Sequence, residues 1–592
     1  MRNSFPRKYG KILWILGTAL LVLFFIAVLL LWGMRTVSSM QEAATDPAGV
    51  GFRSGSGESV RLQKLPGDKG MAVFLPSCFD GVSVVSPRGL QVYIDGQEYP
   101  DGTPAGDAAA PGEHTLCIRD RSGGETVPEE TFTVYAADGV DALMIRAQKG
   151  SVSAMNADPA KKTTLSGLCR ILPVDGGDPQ EVACTLSGHG NVTWKLADKR
   201  SYSVELSQAL PLLGMEAQRD WVLVSCVYDE SYIRNRIAFE SARALGCPYT
   251  PQERFVDLYI DGEYLGLYDL THKIDMRGGT FDRAGADGEW LLEFDYYGEK
   301  TAGTGGFYTD RKYVSVKYPV RPGTADLETI RARVMTAEEA VLAHREDCFR
   351  YLDQDSFAAQ YLLNEAYVQK DIDFSSQFFY KLHGDPLFYA GPVWDFDRLL
   401  GDDDNTLDYG GLEKTCLWIP GMTGGEDVES GWFKELWEIP GFRERVETLY
   451  TERLSGYMAE LAAGLPEVWQ RQIDASVRMD RARYGRDAES FRAEIRRTEE
   501  WIGARREFLD SVFSRGEERV TLTFYTRQIE DNSHDLICLL KPGTELAALP
   551  AAEDVTGWVY EDGTPLRAGD VITKSAVVYP VYAEGAEYGQ ED

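Results

Sequence analysis

Two aspartates stand one residue apart in the segment GPVWDFDRLLG, which runs from Gly391 to Gly401. The residues around Asp395 and Asp397 are of types usually found in a protein interior, namely Pro392, Val393, Trp394, Phe396, Leu399 and Leu400. Burying an unpaired carboxylate is costly, so a metal ion, an arginine or a set of backbone N–H donors must compensate the charge. The segment therefore predicts either a metal-binding position or a tightly hydrogen-bonded one.

A third aspartate, Asp371, precedes Asp395 by 24 residues. A predicted helix ends near Lys370, and a predicted hairpin, FFYKLHGDPLFYAGPVW, leads to Asp395. Protein-kinase-type sites have this order, in which the first aspartate orients the acceptor hydroxyl and the second binds Mg²⁺ across the ATP phosphates. Oxygen ligands suit Mg²⁺ or Mn²⁺. The alternative is structural: Asp371 caps a helix end or a turn, and Asp395 accepts backbone N–H groups.

A glycine-rich turn followed by two basic residues forms the second candidate, GHGNVTWKLADKRSYSVEL. Gly188, Gly190 and Asn191 make a turn that tolerates positive φ. Lys199 and Arg200 come just before the predicted strand YSVEL, where a lysine can pair with phosphates. The alternative is that both are solvated at a strand edge. The sequence has no GxxxxGK[ST], no GxGxxG after a strand, and no HExxH, HRD or GxSxG motif.

Mixed strands and helices must position these residues. Strand patterns alternate with one helix from about 140 to 320, and helical patterns cover about 325 to 372 and 432 to 514. We therefore expect an α+β domain over 141–516, with its core at about 185–450 and a C-terminal helical part at about 432–514.

Two local signals in this domain are strong. The segment SYIRNRIAFESARALG predicts a helix with Ser231 as its N-cap and Gly246 at its end. The segment RFVDLYIDGEYLGLYDL predicts a hairpin that turns at Asp261–Gly262. Arg234 and Asn235, in the helix, are expected to join it to the sheet through a buried network.

Two β-rich modules flank the domain. Short strand patterns over 61–140, such as GMAVFL, LQVYIDGQEY and TFTVYAA, predict a β-sandwich-like module. Residues 517–592 predict a small β-rich module whose pieces VTLTFYTR, KPGTELAALP and GWVYEDGTPL resemble the internalin-type B-repeats of bacterial surface proteins. Both are interpreted as spacers or as modules that bind a cell-wall or surface ligand.

The N-terminus predicts a membrane anchor. A basic tail, 1–11, precedes 23 residues without charge, 12–34, which as a helix span about 34 Å and so cross a hydrocarbon layer of about 30 Å. The basic residues before this segment place residues 1–11 in the cytoplasm. The linker, 35–60, and the rest of the chain are then expected outside the membrane. A cleaved signal peptide is the alternative, although the apolar run is longer than such peptides have.

Composition limits the classes of function. The 592 residues are too many for one core, and the formal net charge of −32 argues against nonspecific nucleic-acid binding. Nine scattered cysteines with no CxxC predict small core residues and at most one or two disulfides, not a zinc site.

Seven blocks in order, between about residues 185 and 450, resemble the spore coat protein H (CotH) kinase family. They are GHGNVTW, KRSYSVEL, LLGMEAQRDWVLVSCVYDESYIRNRIAFESARALG, YTPQERFVDLYIDGEYLGLYDL, NEAYVQKDIDFSSQFFYK, GPVWDFDRLLG and WFKELWEIPGFRERV. The resemblance implies an atypical protein-kinase-like α+β core. It also implies that ATP and Mg²⁺ or Mn²⁺ are used to phosphorylate Ser or Thr of a surface or spore-coat protein.

The same resemblance implies roles for individual residues. Asp371 would be the catalytic aspartate and Lys199 the phosphate-pairing lysine. The other implied nucleotide-binding residues are Arg200, Asn191 and Glu293, where Glu293 would pair with the lysine or the metal. The implied metal ligands are Asp395, Asp397 and Ser376.

Three positions depart from the family pattern. His189 replaces an arginine in GRGN, His272 stands where glutamate is usual, and Ser376 holds the position of an asparagine metal ligand. These departures keep a second function open, that of a catalytically silent surface adhesion or scaffold protein. A carbohydrate-active enzyme with an Asp/Glu pair is a third and weaker hypothesis.

Overall fold

The computed structural model describes residues 49–583 with several gaps. The gaps are 68, 121–124, 277–280, 282–287, 296–297, 299–304, 374, 401–407, 423–430, 527–528 and 530–534, together with the side chains of 125–128, 371 and 373. The predicted transmembrane segment, 12–34, lies outside the described residues. Within the described part, no helix has the length and apolar character needed to cross a membrane. The described chain is a multidomain α+β protein, as predicted.

The N-terminal module consists of two β-sheets around one core. Its strands are β1 (Gly51–Arg53), β2 (Ser59–Arg61), β3 (Gln63–Lys64), β4 (Met71–Leu75), β5 (Ser83–Val85), β6 (Leu90–Ile94), β7 (Gln97–Glu98), β8 (Gly112–Asp120) and β9 (Glu125–Ala136), with a 3₁₀ turn at Gly106–Ala109. The sheet orders are β2-β1-β5 and β3-β4-β9-β8-β6-β7. Alternate apolar side chains, such as Val92 and Ile94, fill the space between the sheets. β1 lies within 35–60, the range predicted as a linker.

The next seven strands close into a barrel. They are β10 (Asp141–Lys149), β11 (Leu165–Leu172), β12 (Gln180–His189), β13 (Ser201–Leu210), β14 (Gln218–Val224), β15 (Glu253–Ile260) and β16 (Glu263–His272), in the order β10-β11-β12-β13-β14-β16-β15. Only the closing pair, β10 and β15, is parallel. Three helices lie in the connections: α1 (Val152–Asn156), α2 (Val192–Leu196) and α3 (Arg234–Leu245).

The hairpin prediction is confirmed, and the helix prediction is confirmed at one end. β15 and β16 pair across Asp261–Gly262, whose φ angles of 51° and 79° suit a two-residue turn. Helix α3 ends at Gly246, which adopts φ 84°. Ser231 as N-cap is wrong, because α3 begins at Arg234, whose backbone N–H donates to the Asp229 carboxylate at 2.8 Å.

A second sheet and a helical layer follow. The strands are β17 (Trp290–Phe294), β18 (Gly306–Tyr308), β19 (Tyr313–Tyr318), β20 (Gln377–Lys381) and β21 (Phe388–Ala390), in the order β18-β19-β17-β20-β21. The helices are α4 (Thr324–Leu342), α5 (Gln354–Tyr367), α6 (Trp432–Trp437), α7 (Pro440–Leu449), α8 (Ser455–Ala462), α9 (Leu465–Arg483) and α10 (Glu489–Leu509). The 3₁₀ turns are Glu346–Arg350, Lys370–Asp373, Leu412–Thr415 and Ile419–Gly421, and the π-helical turns are Tyr450–Leu454 and Asp510–Ser514.

The C-terminal module shares a sheet with the preceding domain. Its strands are β23 (Val520–Phe524), β24 (Leu536–Leu540), β25 (Thr544–Glu545), β26 (Val555–Tyr560), β27 (Pro565–Leu566), β28 (Val571–Ile572) and β29 (Ala576–Tyr582). A strand of the domain, β22 (Cys416–Leu417), pairs with β24, so that Cys416 lies opposite Cys538. The sheet order is therefore β22-β24-β23-β29-β26-β27.

Candidate functional site

The loop that carries Asp395 is held in place by two amide side chains. It follows β21 directly, and Asp395 itself adopts φ 66°, in the left-handed region. Gln369 donates from Nε2 to the Asp395 carbonyl oxygen at 2.7 Å, and Asn235 accepts from the Phe396 N–H at 2.9 Å. The backbone is therefore fixed from both sides, which leaves the Asp395 carboxylate to make other contacts.

A short chain of hydrogen bonds connects this carboxylate to the second sheet. The Ser376 hydroxyl donates to Asp395 Oδ2 at 2.8 Å, and the Ser376 N–H donates to Glu293 Oε1 at 2.8 Å. Ser376 has φ 66°, a strained value for serine that turns both of its donors toward carboxylates. Three residues predicted from sequence, Asp395, Ser376 and Glu293, are thus brought together.

Glu293 pairs with a lysine that the sequence did not single out. On the neighbouring strand β19, Lys317 Nζ lies 2.5 Å from Glu293 Oε2 and 3.1 Å from Asp295 Oδ2. The Ser315 hydroxyl also donates to Asp295 at 2.9 Å. Since 24 residues separate Glu293 from Lys317, only the pairing of β17 with β19 brings them together. The alternation of polar Ser315 and Lys317 in YVSVKY was the one available signal.

The surroundings shift the pKa values of this cluster. Burial raises the pKa of Glu293 to about 6, although Lys317 opposes that rise. Burial lowers the pKa of Lys317, but the charges of Glu293 and Asp295 outweigh it, so the net pKa is raised. Asp395 is exposed along one edge, yet the protein atoms packed around its carboxylate raise its pKa, and the Ser376 hydrogen bond only partly opposes this.

We expect Glu293→Gln to change how stability depends on pH. Glu293 has a pKa of about 6 in the folded protein against an ordinary value of 4.5, so its contribution to stability is fully present below pH 4.5. That contribution falls by about 2 kcal/mol as the pH rises through about 6, because the folded state then holds a disfavoured charge. The difference in unfolding free energy between wild type and Glu293→Gln, measured with urea across this window, should show the fall. The exposed Glu328→Gln serves as control, and a difference for Glu293→Gln that does not change with pH would contradict the expectation.

A cleft that is open to solvent lies beside the Asp395 loop, and Asp395 and Ser376 belong to its lining. Its walls combine aromatic rings with amide side chains: Phe294, Phe357, Phe378, Phe379, Trp394, Phe396, Trp432, Phe433, Gln360, Asn364, Gln369 and Gln377. Such a mixture suits a ligand that has a flat apolar part and several hydrogen-bonding groups. The cleft thus offers a binding volume next to the carboxylate.

The glycine-rich turn packs against this loop from the barrel. The His189 ring meets Trp394 edge to face, with the ring centroids 6.2 Å apart, and shares a hydrogen bond with the Ser203 hydroxyl at 3.0 Å. Burial lowers the pKa of His189 to about 3, so its ring is neutral. A side chain at Gly188 would lie 2.5 Å from the Trp194 ring, so the turn requires glycine there. The side chain of Asn191 is exposed beside this turn.

Lys199 does not line the cleft. Its side chain is 0% exposed and forms an ion pair with Asp480 of α9. It also donates to the Leu267 carbonyl oxygen and lies 4.7 Å from the centre of the Tyr268 ring. Its predicted role at the phosphates stays a prediction, but in this structure its ammonium group is taken up by Asp480.

The remaining predicted site residues are Arg200, Asp397 and Asp371. The Arg200 guanidinium lies 5.4 Å from the centre of the Trp194 ring, and burial lowers its pKa. The Asp397 carbonyl oxygen accepts from Arg234 Nη1 at 3.0 Å, so Arg234 ties helix α3 to the loop. Together with the Asn235 contact, this confirms that a buried network lies at the start of α3. These contacts join the helix to the Asp395 loop, whereas the prediction was that they join it to the sheet. Asp371 lies in the Lys370–Asp373 turn, and its side chain lies outside the described ones.

The donors around Asp395 fit a hard cation. No three His, Cys, Asp or Glu side chains among those described are grouped as a metal site. Mg²⁺ is usually held by only one or two carboxylates, and substrate phosphates and waters complete its shell. The Asp395 carboxylate and the Ser376 hydroxyl supply oxygen ligands of this kind at the mouth of the cleft.

Comparison with known proteins identifies one family. A family model described as CotH kinase protein matches residues 186–509 of the chain. The match begins in β12 and ends with α10, so it includes the glycine-rich turn, Glu293, Ser376 and the Asp395 loop. No curated protein matches the chain.

Proposed function

Because the chain belongs to the CotH kinase family, we propose that it transfers the γ-phosphoryl group of ATP to a Ser or Thr hydroxyl of a surface or spore-coat protein. The single observation that carries this proposal is the Asp395 loop. It presents a carboxylate with a raised pKa, bonded to Ser376, at the mouth of an aromatic cleft. The acceptor protein is defined here only by its chemistry.

Each residue has a part in the proposed reaction. Asp395 and Ser376 would hold Mg²⁺ or Mn²⁺, with the Asp397 carboxylate in the same loop as a further acidic group. The bound metal would neutralise charge on the phosphate oxygens. The cleft would take the flat base of ATP, and the glycine-rich turn with Asn191 and Arg200 would border its phosphates. Asp371 would orient the acceptor hydroxyl.

The proposed location is the outer face of a membrane. It rests on the uncharged segment 12–34 and on the basic residues that precede it. In this arrangement residues 1–11 are cytoplasmic, and both β-rich modules lie with the kinase domain outside the membrane, where they can meet a cell-wall or surface ligand.

We expect Asp395→Asn to abolish phosphoryl transfer. Removing a metal-binding carboxylate should reduce transfer by about 100-fold or more, since a metal contributes several kcal/mol to the transition state. The full chain in detergent would be incubated with γ-labelled ATP, Mg²⁺ or Mn²⁺, and casein as acceptor. The matched control, Asp178→Asn, changes an exposed aspartate outside the matched region.

Equal labelling by wild type and Asp395→Asn would refute the assignment of Asp395. If the wild type neither transfers label nor gains thermal stability with ATP, the second function applies, that of a catalytically silent surface scaffold. Two observations favour that second function: the sequestered Lys199 and the sheet shared with the C-terminal module.

A further inference from the structure

Two cysteines face each other at the junction between the domain and the C-terminal module. Cys416, on strand β22 of the domain, lies directly opposite Cys538, on strand β24 of the module. Residues that lie opposite each other on antiparallel strands place their side chains on the same face of the sheet. Both cysteines are fully buried, and both belong to one apolar core to which the domain and the module contribute. The two thiols therefore enter the same core from adjacent strands.

The hydrogen bonds of β22 show which kind of antiparallel pair the two cysteines form. In such a strand the N–H and C=O groups of one residue point to the same side, and successive residues alternate between the two sides. The Cys416 carbonyl oxygen accepts from Arg505 Nη1 at 2.6 Å, and the Trp418 N–H donates to Glu365 Oε1 at 2.8 Å. Both groups point away from β24, so Cys416 and Cys538 form a non-hydrogen-bonded pair.

A pair of this kind has the spacing that a disulfide needs. Its Cα atoms are about 4.5 Å apart, and a disulfide spans Cα atoms about 4.4–6.8 Å apart. Both residues are thiols in this structure, and Cys416 Sγ donates to the Glu413 carbonyl oxygen at 3.1 Å. Rotation about the Cα–Cβ bond of Cys416 would release this contact and turn Sγ towards Cys538. The Glu413 oxygen would keep its hydrogen bond from Arg505 Nη1 at 3.2 Å.

A second pair of neighbouring cysteines lacks this register. Cys169 lies opposite Val182, and Cys184 lies opposite Gly167, so the two cysteines are offset diagonally on β11 and β12. Diagonal neighbours on antiparallel strands are about 7–8 Å apart, which exceeds the usual Cα spacing of a disulfide. Cys169 and Cys184 therefore provide an internal comparison for the pair at the junction.

We propose that Cys416 and Cys538 form a disulfide bond that fastens the C-terminal module to the domain. This inference rests on the proposed location of the chain, because disulfides form and persist outside the cytoplasm, and it does not depend on phosphoryl transfer. Cys416 and Cys538 are 122 residues apart, so the bond would close a long loop and restrict the unfolded chain strongly. The module would then be held by a covalent bond as well as by strand pairing.

The oxidant is another disulfide, that of a small thiol or of a thiol–disulfide exchange protein. The Cys538 thiol loses its proton, and its thiolate attacks the donor disulfide, so that a mixed disulfide forms and one donor thiolate leaves. The Cys416 thiolate then attacks the Cys538 sulfur, the protein disulfide forms, and the second donor thiolate leaves. The donor thus gains two electrons, and its two thiolates take up the two protons that the cysteines lost.

Burial determines when this exchange can occur. It raises the pKa of Cys416 to about 12 and also raises the pKa of Cys538, so neither residue supplies the reactive thiolate in the folded protein. Both side chains are also out of reach of a donor, since both are fully buried. The bond must therefore form before β22 and β24 come together. Once formed, it should resist reductants until these strands separate.

The first test identifies the bond in the full chain. The chain is synthesised in a cell-free system that contains detergent with reduced and oxidised glutathione, and its remaining thiols are alkylated in urea. Trypsin without reductant then releases residues 415–434 and residues 528–567, each with a single cysteine. We expect mass spectrometry to find these two peptides joined, with a mass two hydrogens below their sum. Alkylation of both cysteines, or a bond from either one to a different cysteine, would overturn the inference.

The second test measures whether the bond fastens the module. Hydrogen exchange of the β24 amides, Leu536–Leu540, is compared between chains made with glutathione and chains made with dithiothreitol. We expect exchange at least about 10-fold slower in the oxidised chain. Cys416→Ala and Cys538→Ala should lose this difference, whereas Cys348→Ala, which removes another fully buried cysteine, should keep it. Equal exchange in the oxidised and reduced wild type would overturn the fastening role.

The outcomes separate this inference from the proposed function. A chain that contains the bond but transfers no phosphoryl group would support the inference and overturn only the kinase proposal. A chain that transfers the phosphoryl group but has Cys416 and Cys538 alkylated would overturn the inference alone. If an alanine variant does not fold, the peptide analysis decides, because it uses the unmodified chain.

Discussion

Arg505→Met should lower the free energy of unfolding by about 3–5 kcal/mol, the range observed when one member of a buried ion pair is removed. Arg505 and Glu365 are both 0% exposed and lie 2.9 Å apart. Glu365 also accepts the backbone N–H groups of Trp418 and Ile419, each at 2.8 Å. Without Arg505, the buried Glu365 carboxylate would keep these two N–H groups but would lose the positive charge that offsets its own.

Arg505 also forms hydrogen bonds with two backbone carbonyl oxygens in the interior. Its guanidinium donates to the carbonyl oxygens of Glu365 at 2.7 Å and Cys416 at 2.6 Å. Methionine fills a similar volume but donates no hydrogen bond, so both oxygens would lose the guanidinium donor, and the Glu365 oxygen would keep the backbone N–H of Val368. The variant would thus lose the side chain that connects helix α10 to helix α5 and strand β22.

The pH dependence of the loss in unfolding free energy distinguishes the loss of the ion pair from the loss of packing. Burial raises the pKa of Glu365 and Arg505 opposes that rise, so the variant should protonate Glu365 more readily. The deficit of Arg505→Met should therefore be smaller at about pH 5 than at about pH 8. Urea unfolding at both values measures it. Arg515→Met, at an exposed ion pair just past the same helix, should cost less than about 1 kcal/mol. A deficit independent of pH would point to packing alone.

Lys199→Met should be destabilising to a similar extent, about 3–5 kcal/mol. Asp480 would keep the Leu267 N–H at 2.9 Å and the Tyr232 hydroxyl at 3.1 Å, but it would lose its only cation among the described residues. The double variant Lys199→Met/Asp480→Asn removes both charges and keeps an oxygen acceptor. It should recover at least about 1 kcal/mol relative to the single variant.

Thermal or urea unfolding of four proteins tests this coupling: the wild type, the single variants Lys199→Met and Asp480→Asn, and the double variant. The control is Lys195→Met, an exposed lysine on α2 four residues earlier. If the double variant were as unstable as the sum of its single variants, the charges of Lys199 and Asp480 would not be coupled.

Local patterns predicted those parts of the fold that local physics determines. The Asp261–Gly262 turn follows from two residues that tolerate positive φ between strand-forming segments, and Gly246 ends its helix for the same reason. The α+β fold class and the candidate loop with Asp395 could also be predicted. Alternating apolar residues and turn residues indicate strands from the local sequence alone.

Long-range pairings were not predictable in this way. Lys199 and Asp480 are 281 residues apart, and Asp480 stands in a helix rich in charged residues, where nothing marks it as buried. The Glu293–Lys317 pair depends on which strands become neighbours, and the contact between His189 and Trp394 depends on how the barrel docks on the second sheet. The sequence singled out the loop with Asp395, but it carried no sign that Lys317 belongs to the same cluster of contacts.

The strand β22 determines how the C-terminal module responds to mechanical load. Besides the pairing of β22 with β24, the Asp535 N–H donates to the Gly421 carbonyl oxygen at 2.7 Å, and Asp408 forms a β-bridge with Ala551. A tether attached to the module cannot swivel about a flexible hinge, since rotation would shear these hydrogen bonds. Tension applied near residue 583 therefore passes into the segment that Arg505 anchors, and the module acts as a stiff lever on the domain.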